Sequence, residues 1–386
     1  MIKLSKFCIL CMCTAICLTG CGKQQKPPVA ENIPEQTVEE KVEETVEEPV
    51  EESTEAKEEV SQVDKIYHPI EKDSIDYLSV KGIALEPGTE IAMVAANADN
   101  SFFDVVKAGA QKAIADLNTE LGYTGKDKIS FTFTAPENED VVEQINIIDQ
   151  FLDKAPDALC IAFPDASASK TQIQMAKNNG IHLIAFDTPD DNMQTEALVS
   201  TDNVAAASES AEKLFEAIDY EGKVAIIVHN FLTQTGQERK QAVIDTLANQ
   251  YNDKNIQFVD IVYMAQEDRS EKEILDELLS RNPDLAGIIC TDLLTTEMVI
   301  DYVNKLEEKN FAVAGFDTSK KIVKAVTEGT IIGTMSQDPY GMGYATIITA
   351  ARSIAGLEKS EWVNSVHYWV DADNLQSEEV QSLLRY

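Results

Sequence analysis

Short apolar, β-branched runs alternate with longer amphipathic segments along most of the chain beyond about Pro87. The apolar runs predict strands, and they are "EIAMVAA", "ISFTFTA", "DALCIAF", "IHLIAFD", "KVAIIVH", "IQFVDIVY", "LAGIICTD" and "FAVAGFD". Segments such as "VVEQINIIDQFLDKA" and "EKEILDELLSR" lie between them and carry apolar residues at helical spacing. This alternation is typical of parallel sheets with right-handed crossovers, and uniformly apolar strands indicate sheets covered on both faces.

The number of these strand–helix units indicates more than one hydrophobic core. Four units lie before about Thr201 and four lie after it. Roughly 300 residues exceed what one core comfortably holds. We therefore predict an α/β fold with two Rossmann-like lobes of similar size, each built on a doubly wound parallel sheet.

Polar residues follow most of the predicted strands at the point where each strand ends. They are Asn97, Asp99, Asn100, Pro164, Asp165, Asp187, Thr188, His229, Asn230, Thr291, Asp292 and Asp317, with Gln337 in the later stretch "GTMSQDPY". Ligands of such sheets bind outside the carboxyl ends of the strands. Each residue also has a structural interpretation, because Asp, Asn and Pro end strands and cap helices. Their recurrence in both lobes favours two polar rims that face one cleft.

Two aromatic residues interrupt the first of these polar turns, in "MVAANADNSFFDVVKAGAQKAIADL". Phe102 and Phe103 follow a run of Asn, Asp and Ser and stand at the start of a predicted helix. Exposure of aromatic rings to water is unfavourable. The two rings therefore either pack into a core or form a surface that a ligand covers.

The first residues indicate export from the cytoplasm. Lys3 and Lys6 precede an apolar run that is short for a membrane span, and the run ends at "LTGC". This arrangement is typical of a secretory signal peptide. The "LTGC" motif resembles the lipobox of bacterial lipoproteins, in which the cysteine is diacylated. We predict that residues 1–20 are removed and that Cys21 is lipidated; the alternative is that Cys21 is one more cysteine of a Cys-rich signal.

The following segment is strongly acidic. "ENIPEQTVEEKVEETVEEPVEESTEAKEEV" holds 13 glutamates and two lysines, and like-charge repulsion with few apolar anchors keeps such a sequence unfolded. We predict an acidic, disordered tether and lead-in over residues 21–88. Residues 1–20 carry +2 and residues 21–64 carry −10 of the formal charge of −35, so −27 remains on residues 65–386. A surface this acidic repels nucleic acid.

The cysteines and histidines of the folded part form no reactive pattern. Cys160 and Cys290 lie in apolar runs that we assign to different lobes, so we expect two free thiols that behave as small hydrophobic residues. The chain has no CxxC or CxxH spacing, and none of its four histidines falls in a Ser-His-Asp or metal-ligand pattern. "YGMGY" is a weak dinucleotide signal, because it lacks the third glycine. We predict no enzymatic activity, no metal and no cofactor.

Five stretches carry a more specific signal: "NSFFDVVKAGAQKA", "EQINIIDQFLDKAPDALCIAFPDASA", "AKNNGIHLIAFD", "VSTDNVAAA" and "AGFDTSKKIVKAVTEGTIIGTMSQDPYGMGY". Together they resemble type I periplasmic binding proteins of the ribose/galactose group, the substrate-binding components of ABC transporters. The resemblance covers roughly residues 89–386. It implies two lobes joined by a three-segment hinge, with residues 89–202 and 337–364 in the N-terminal lobe and residues 203–336 and 365–386 in the C-terminal lobe.

The resemblance also implies a sugar site in the cleft, where an aromatic ring stacks on the sugar and polar side chains bind its hydroxyl groups. The candidate ligand-binding residues are Asn100, Phe102, Phe103, Asp187, His229, Arg239, Asp292, Asp317 and Gln337. We expect Phe103 to be the stacking ring; the alternative is packing beneath the first helix. Thr291 aligns as well as Asp292 does. For Arg239 the alternative is a structural salt bridge.

The sequence departs from ribose binders at positions where they carry arginine. Thr188 replaces one such arginine, and Gln237 stands roughly where the second falls. His229 and Asn230 are not residues of ribose binders either. Loss of bidentate cationic donors weakens a ribose assignment and leaves a small polyol or sugar-like ligand. The chain also lacks the DxDxDG-type loop with which galactose binders often hold calcium.

The resemblance implies an extracytoplasmic protein, anchored to the membrane by its lipid, that delivers a sugar-like ligand to an ABC permease. We expect a monomer without nucleic-acid partners. A receptor subunit that reports a sugar or autoinducer-like signal to a membrane sensor kinase is the alternative, since it would use the same cleft. A lactose-repressor-like regulator shares this fold, but it needs an N-terminal helix-turn-helix and a basic face.

Overall fold

The computed structural model describes residues 75–190, 194–265 and 269–384. The elements in chain order are β1 (Glu90–Val94), α1 (Ser101–Glu120), β2 (Ser130–Thr134), α2 (Val141–Lys154), β3 (Ala158–Ile161), α3 (Lys170–Asn178), β4 (His182–Phe186), β5 (Ala197–Thr201), α4 (Asn203–Ala217), β6 (Glu221–Val228), α5 (Gln234–Gln250), β7 (Asn255–Tyr263), α6 (Glu271–Arg281), β8 (Leu285–Cys290), α7 (Leu293–Val303), β9 (Ala312–Phe316), α8 (Lys320–Thr327), β10 (Gly333–Gln337), α9 (Pro339–Ile354), β11 (Trp362–Ser365), β12 (His367–Asp371) and α10 (Glu378–Leu383). The predicted signal peptide, the lipidated Cys21 and the acidic run lie outside the described residues.

Two six-stranded sheets form the centres of two lobes. The first sheet has the order β11-β5-β4-β3-β1-β2 and is parallel throughout. The second has the order β12-β10-β9-β8-β6-β7 and is parallel except for β12, which runs antiparallel to β10. The predicted α/β fold with two doubly wound lobes is confirmed.

Helices cover both faces of the sheets, which explains the uniformly apolar strands. In β1, Met93 packs in the same core as Val106 of α1 and Ile347 of α9. Its neighbour Val94 points to the opposite face and packs in the same core as Ile148 of α2. Cys160 of β3 and Cys290 of β8 are free, buried and in different sheets, and burial raises the pKa of both thiols.

The apolar runs predict only eight of the twelve described strands. The four others are β5, β10, β11 and β12. Strand β10, "GTMSQ", is buried along its whole length although three of its five residues are polar. Its hydroxyls are satisfied locally, because Thr334 Oγ1 donates to the backbone carbonyl of Asp317 at 2.7 Å. Burial of polar side chains is tolerated where such hydrogen bonds exist.

The chain crosses between the two sheets three times. The crossings follow β5, β10 and β11, and the first and third lie side by side, because Thr201 Oγ1 and Ser365 Oγ are 3.0 Å apart. Ser365 pairs with Thr201 in the first sheet, and Gln337 pairs with His367 in the second. Ser365 therefore belongs to the N-terminal lobe and Gln337 to the C-terminal lobe. The division predicted from the sequence placed each of them in the other lobe.

Two glycines allow α1 and α9 to pack backbone against backbone. A Cβ atom on Gly109 would lie 1.9 Å from the carbonyl oxygen of Tyr340, and one on Gly343 would lie 1.9 Å from that of Val106. No side chain fits at such distances. The "YGMGY" motif therefore serves helix packing at this position.

Part of the segment that the sequence groups with the tether packs on the first lobe. Ile83 and Leu85 are buried in its core. Tyr123 Oη donates to the Leu85 carbonyl at 2.6 Å, and the backbone nitrogen of Ser360 donates to Tyr77 Oη at 2.6 Å. The prediction of disorder up to residue 88 is therefore wrong for residues 75–88, whose apolar side chains supply the anchors that the acidic run lacks.

Candidate functional site

A cleft between the lobes is lined by side chains from both. Its space, including space that opens to solvent, is about 630 Å³. The nine residues proposed from the sequence all line it: Asn100, Phe102, Phe103, Asp187, His229, Arg239, Asp292, Asp317 and Gln337. Other lining residues include Asn97, Glu139, Thr188, Thr233 and Thr235. The cleft lies at the carboxyl ends of the strands, as parallel α/β sheets require.

The polar turn after β1 holds the two phenylalanines in place. Asn100 caps α1, and its side-chain oxygen accepts a hydrogen bond from the Phe102 backbone nitrogen at 3.0 Å. The rings of Phe102 and Phe103 meet edge to face with centroids 5.3 Å apart. Phe103 also meets Phe186, at the end of β4, edge to face at 6.3 Å.

Both rings are buried and both line the cleft. Phe102 is 8% exposed and Phe103 is 5% exposed. The two alternatives for this turn are therefore not exclusive, because each ring packs on the first lobe and also contributes apolar surface to the cavity. The edge-to-face arrangement fixes the ring orientations and adds stability beyond buried area.

Two aspartates occupy corresponding positions in the two lobes. Asp187 follows β4 and Asp317 follows β9, and each of these strands is the third of its sheet counted from the β11 or β12 edge. Both have left-handed backbones, with φ of 58° and 66°, a conformation that Asp and Asn tolerate better than most residues. Each backbone nitrogen donates to the neighbouring strand, Asp187 to Val199 and Asp317 to Met335. This turn directs both carboxylates toward the cleft.

The two carboxyl groups are hard to ionise. Burial raises the pKa of Asp187 to about 6; Arg239 opposes the rise, and the negative charges of Asp317 and Glu139 add to it. Burial likewise raises the pKa of Asp317 to about 6, against the charge of Arg239. Perturbed carboxyl groups of this kind in a cleft are typical of functional sites.

Arg239 lies between these groups on α5. It is 4% exposed, its Nε donates to Asn203 Oδ1 at 2.8 Å and its Nη1 donates to the Thr291 carbonyl at 2.8 Å. Its guanidinium stacks over the Phe316 ring at 4.0 Å. Among the described residues no carboxylate oxygen lies within 4.0 Å of it, so the salt-bridge alternative is wrong. Neutral acceptors therefore hold the guanidinium group in place, and its remaining N–H groups can donate to a ligand in the cavity.

Gln337 stands at the second lobe crossing. Its Nε2 donates to Asp317 Oδ1 at 2.6 Å. Its Oε1 is buried and has no hydrogen-bond partner within the described parts of the chain. A buried acceptor without a donor is unfavourable, and the side chain lines the cleft. The Oε1 atom of Gln337 can therefore accept a hydrogen bond from a ligand in the cavity.

A third acidic residue connects the two lobes across the cleft. Glu139 precedes α2 in the first lobe, and its Oε2 lies 3.2 Å from His229 Nε2 and accepts from Asn230 Nδ2 at 3.0 Å. Burial opposes protonation of His229, but the hydrogen bond to Glu139 and the nearby negative charges outweigh it and raise its pKa. Glu139 is not among the residues predicted from the sequence, although it follows β2 in "PENED" as the other candidates follow their strands.

Asp292 has a structural partner as well as a place at the cleft. It caps α7, with Oδ1 accepting from the Thr295 backbone nitrogen at 2.8 Å. Thr291, its alternative in the alignment, is buried, and its carbonyl accepts from Arg239. The structure thus gives Asp292 the cavity-facing position and Thr291 the supporting one.

Comparison with known proteins agrees with this architecture. Residues 91–358 match the periplasmic binding protein domain family, so the chain belongs to the periplasmic binding proteins. It is 24% identical over 285 residues to the D-allose-binding periplasmic protein of Escherichia coli, which covers 70% of this chain and 85% of that protein. It is 26% identical over 276 residues to the ribose import binding protein RbsB of Haemophilus influenzae, covering 70% of this chain and 87% of that protein.

Solved structures show the same fold. An ABC transporter solute-binding protein from Agrobacterium vitis, bound with α-D-tagatopyranose, superposes with a TM-score of 0.70 at 21% identity, covering 77% of this chain and 99% of that one. Another from the same organism, with bound D-fucose, gives a TM-score of 0.69 at 21% identity and covers 77% of this chain and 100% of that one. Members of this family bind and transport solutes and are not enzymes, which agrees with the prediction from sequence.

Two further observations bear on the other predictions. None of the helices that the structure describes is both long and apolar enough to cross a membrane. The described His, Cys, Asp and Glu side chains form no group of three or more that could hold a metal ion.

Proposed function

We propose that the protein is an extracytoplasmic solute-binding lipoprotein that captures a small sugar or sugar-like polyol in the cleft and delivers it to an ABC permease. One observation carries the proposal. The rings of Phe102 and Phe103 line the cleft from the first lobe, and Asp317 with Gln337 line it from the second. Pyranose and polyol ligands have apolar CH faces and hydroxyl edges, which fit rings on one side and carboxylate and amide groups on the other.

The mechanism that follows is closure of the two lobes on the ligand. A ligand that touches both rims favours the closed arrangement by its difference in affinity for the two states. Glu139, which reaches His229 and Asn230 across the cleft, would add to closure. The two lobes of one chain complete the cavity, so the proposal needs no second copy, and we propose a monomer.

A thermal-shift screen tests this function. The panel contains sugars, amino sugars, polyols, nucleosides and amino acids. A ligand at about 100 times its Kd adds roughly 2.7 kcal/mol to the free energy of unfolding, so a sugar or polyol should raise the melting temperature by several degrees. The double variant Asp187→Asn and Asp317→Asn should lose that shift. A panel in which only nucleosides or amino acids act, or a sugar shift that survives in the double variant, contradicts the proposal.

The anchor is proposed from the sequence alone. Two acyl chains give stable attachment to a membrane, where one is marginal. Cys21→Ala should release the protein from the membrane fraction or leave the signal uncleaved. Unchanged fractionation together with an unchanged mass would contradict lipidation at Cys21 and would leave the proposed ligand site unaffected.

A further inference from the structure

We propose that the ligand carries a protonated amine, so that the cleft selects a cationic polyol such as an amino sugar over its neutral counterpart. This inference rests on the proposed function, and it narrows the class of ligand. It follows from the charges that line the cleft and from the hydrogen-bonding groups that the protein leaves unsatisfied there.

The charge of the cavity is unbalanced. Each lobe contributes two carboxylates, Glu139 and Asp187 from the first and Asp292 and Asp317 from the second. Arg239 is the one lysine or arginine among the described residues that line the same space. Even with His229 protonated, the negative groups exceed the positive ones by two. A neutral sugar does not change this excess, whereas an ammonium group reduces it.

The carboxylates also act on one another. The negative charges of Asp317 and Glu139 oppose ionisation of Asp187, and that of Asp292 opposes ionisation of Asp317. Arg239 acts in the opposite direction on both buried groups, but burial outweighs it. A second cation at this place would relieve the same repulsion, because an opposite charge nearby favours the ionised carboxylate.

An independent observation concerns hydrogen-bond acceptors. Gln337 is 3% exposed, lines the cleft, and its Oε1 has no donor in the described part of the chain. Its neighbour Asp317 accepts from Gln337 Nε2 through Oδ1. An ammonium group has three donors and no acceptor, so it suits a cavity that is rich in acceptors. Rings such as Phe102 and Phe103 also attract a cation that lies over their faces.

A divalent metal ion is the obvious rival occupant of an acidic cleft. The described carboxylates and histidines do not form a group that could hold one. Each of the four carboxylates also accepts a hydrogen bond within the protein, Glu139 from Asn230, Asp187 from Thr188, Asp292 from the Thr295 backbone and Asp317 from Gln337. An organic cation needs no such convergent geometry, since it binds through separate hydrogen bonds and the field of the whole cavity.

Titration calorimetry with matched probes tests the inference. The probes are D-glucose, D-galactose, D-mannose and sorbitol, the corresponding glucosamine, galactosamine, mannosamine and glucamine, and the N-acetyl derivative of each amine. N-acetylation keeps the nitrogen and removes its charge. We expect at least one amine to bind ten times or more tighter than both its neutral parent and its acetyl derivative, and the advantage to shrink at high salt.

The outcomes separate this inference from the proposed function. A neutral sugar that binds as tightly as its amine overturns the inference and leaves the sugar-binding function standing. Absence of binding by all of the neutral and amino probes contradicts both. Binding of Ca²⁺ or Mg²⁺ alone at micromolar concentration would also overturn the inference.

Charge-neutral variants locate the effect. Asp187→Asn and Asp317→Asn should each reduce the preference for the amine over its acetyl derivative by about tenfold. Asp284→Asn is the matched control, because Asp284 pairs with Lys223 on the surface of the second lobe. A preference that is unchanged in both cleft variants would place the recognition of the amine elsewhere. Melting temperatures without ligand verify that each variant is folded.

Discussion

The rims of the two lobes are held in different ways. On the second lobe, the cleft residues bind one another and their own backbone: Arg239 donates to Asn203 and Thr291, and Gln337 donates to Asp317. On the first lobe, the side chain of Asp187 accepts only from its neighbour Thr188, at 3.1 Å. The second rim is therefore organised before a ligand arrives, while the first supplies apolar rings and a carboxylate whose one hydrogen bond comes from the adjacent Thr188.

This difference separates stability from binding. A second-rim residue belongs to a hydrogen-bonded network, so its replacement changes the free energy of unfolding as well as ligand affinity. On the first rim, Asp187 has only its hydrogen bond with Thr188 to lose in the unliganded fold. Asp187 and Asp317 allow this difference to be tested, because both follow a strand and have a left-handed backbone. They differ in their hydrogen-bond donors, which are Thr188 for Asp187 and Gln337 for Asp317.

Arg239→Met should give the largest effect. The substitution removes two hydrogen bonds and the cation that opposes the raised pKa values of Asp187 and Asp317. A hydrogen bond that involves a charged group contributes about 1.5–3 kcal/mol, so the loss of both should be destabilising by roughly 3 kcal/mol or more. We expect a fall of that size in urea unfolding of the unliganded protein, together with loss of ligand binding.

Arg281→Met is the matched control for that experiment. Arg281 lies in the same lobe, is 61% exposed at its side chain and pairs with Asp260 and Glu277 on the surface. Exposed ion pairs contribute about 0–1 kcal/mol. Equal destabilisation by the two substitutions would contradict the idea of an organised second rim.

Asp317→Asn should stabilise the unliganded protein while weakening ligand binding. The pKa of Asp317 is raised to about 6 from an ordinary 3.8, so the folded state retains a proton that the unfolded state loses as pH rises between these values. The contribution of Asp317 to the free energy of unfolding therefore falls between about pH 4 and pH 6 and stays at its lower value above pH 6. Two pKa units correspond to about 3 kcal/mol at most.

The measurement is urea unfolding of the variant and the wild type from pH 4 to pH 8. Asn tolerates the left-handed backbone, so the stability difference should grow in favour of the variant up to about pH 6 and then level off. Asp187→Asn should show a difference of similar size, because burial raises the pKa of Asp187 to about 6 as well. A difference that does not vary with pH would mean that the carboxyl group is not the cause.

A strand can be predicted from the sequence when the pattern that indicates it lies within the strand's own residues. Six of the eight apolar runs predict interior strands of the two sheets, because a strand buried on both faces is apolar along its whole length; the other two form the edge strands β2 and β7. Strand β11 was missed because "WVNS" has no such pattern, and it pairs with β5, more than 160 residues away in the chain. Contacts that join distant segments leave little trace in a single short run.

The site follows the same rule. Strand ends and the family resemblance predicted nine residues that all line the cleft. The partners of Arg239 were not predictable, because Asn203 and Thr291 come from other segments of the second lobe. Glu139 was missed because three acidic residues in "PENED" resemble a solvated turn, and its contact with His229 exists only once the lobes face each other.

Phe103→Leu and Phe102→Leu probe the apolar half of the first rim. Phe103 makes edge-to-face contacts with Phe102 and Phe186, whereas Phe102 has only the first of these among the aromatic contacts of the described residues. Each such contact contributes about 0.5–1.5 kcal/mol. Phe103→Leu should therefore lower the melting temperature more than Phe102→Leu does.

Both substitutions should also weaken ligand binding about tenfold in calorimetry, because both rings line the cleft. Full affinity in one variant would show that its ring serves the core only. Full affinity in both would contradict the assignment of an apolar face to the first lobe.

Glu139→Gln should give the smallest effect and the most specific one. The substituted amide can still accept from Asn230, but it carries no charge for His229. The pKa of His229 is raised in the fold by Glu139, Asp292 and Glu271 acting against burial. Its contact with Glu139 therefore stabilises the closed lobes at low pH and loses its ionic part as pH rises through the raised pKa. We expect ligand affinity to fall a few-fold at pH 6, equivalent to under about 1 kcal/mol, and to change little at pH 8.5.

Glu137→Gln on the same loop is the control, since Glu137 is exposed. An equal loss at both pH values would assign Glu139 a direct, charge-independent contact with the ligand, and an unchanged affinity at both would show that the contact between the lobes forms without contributing to binding.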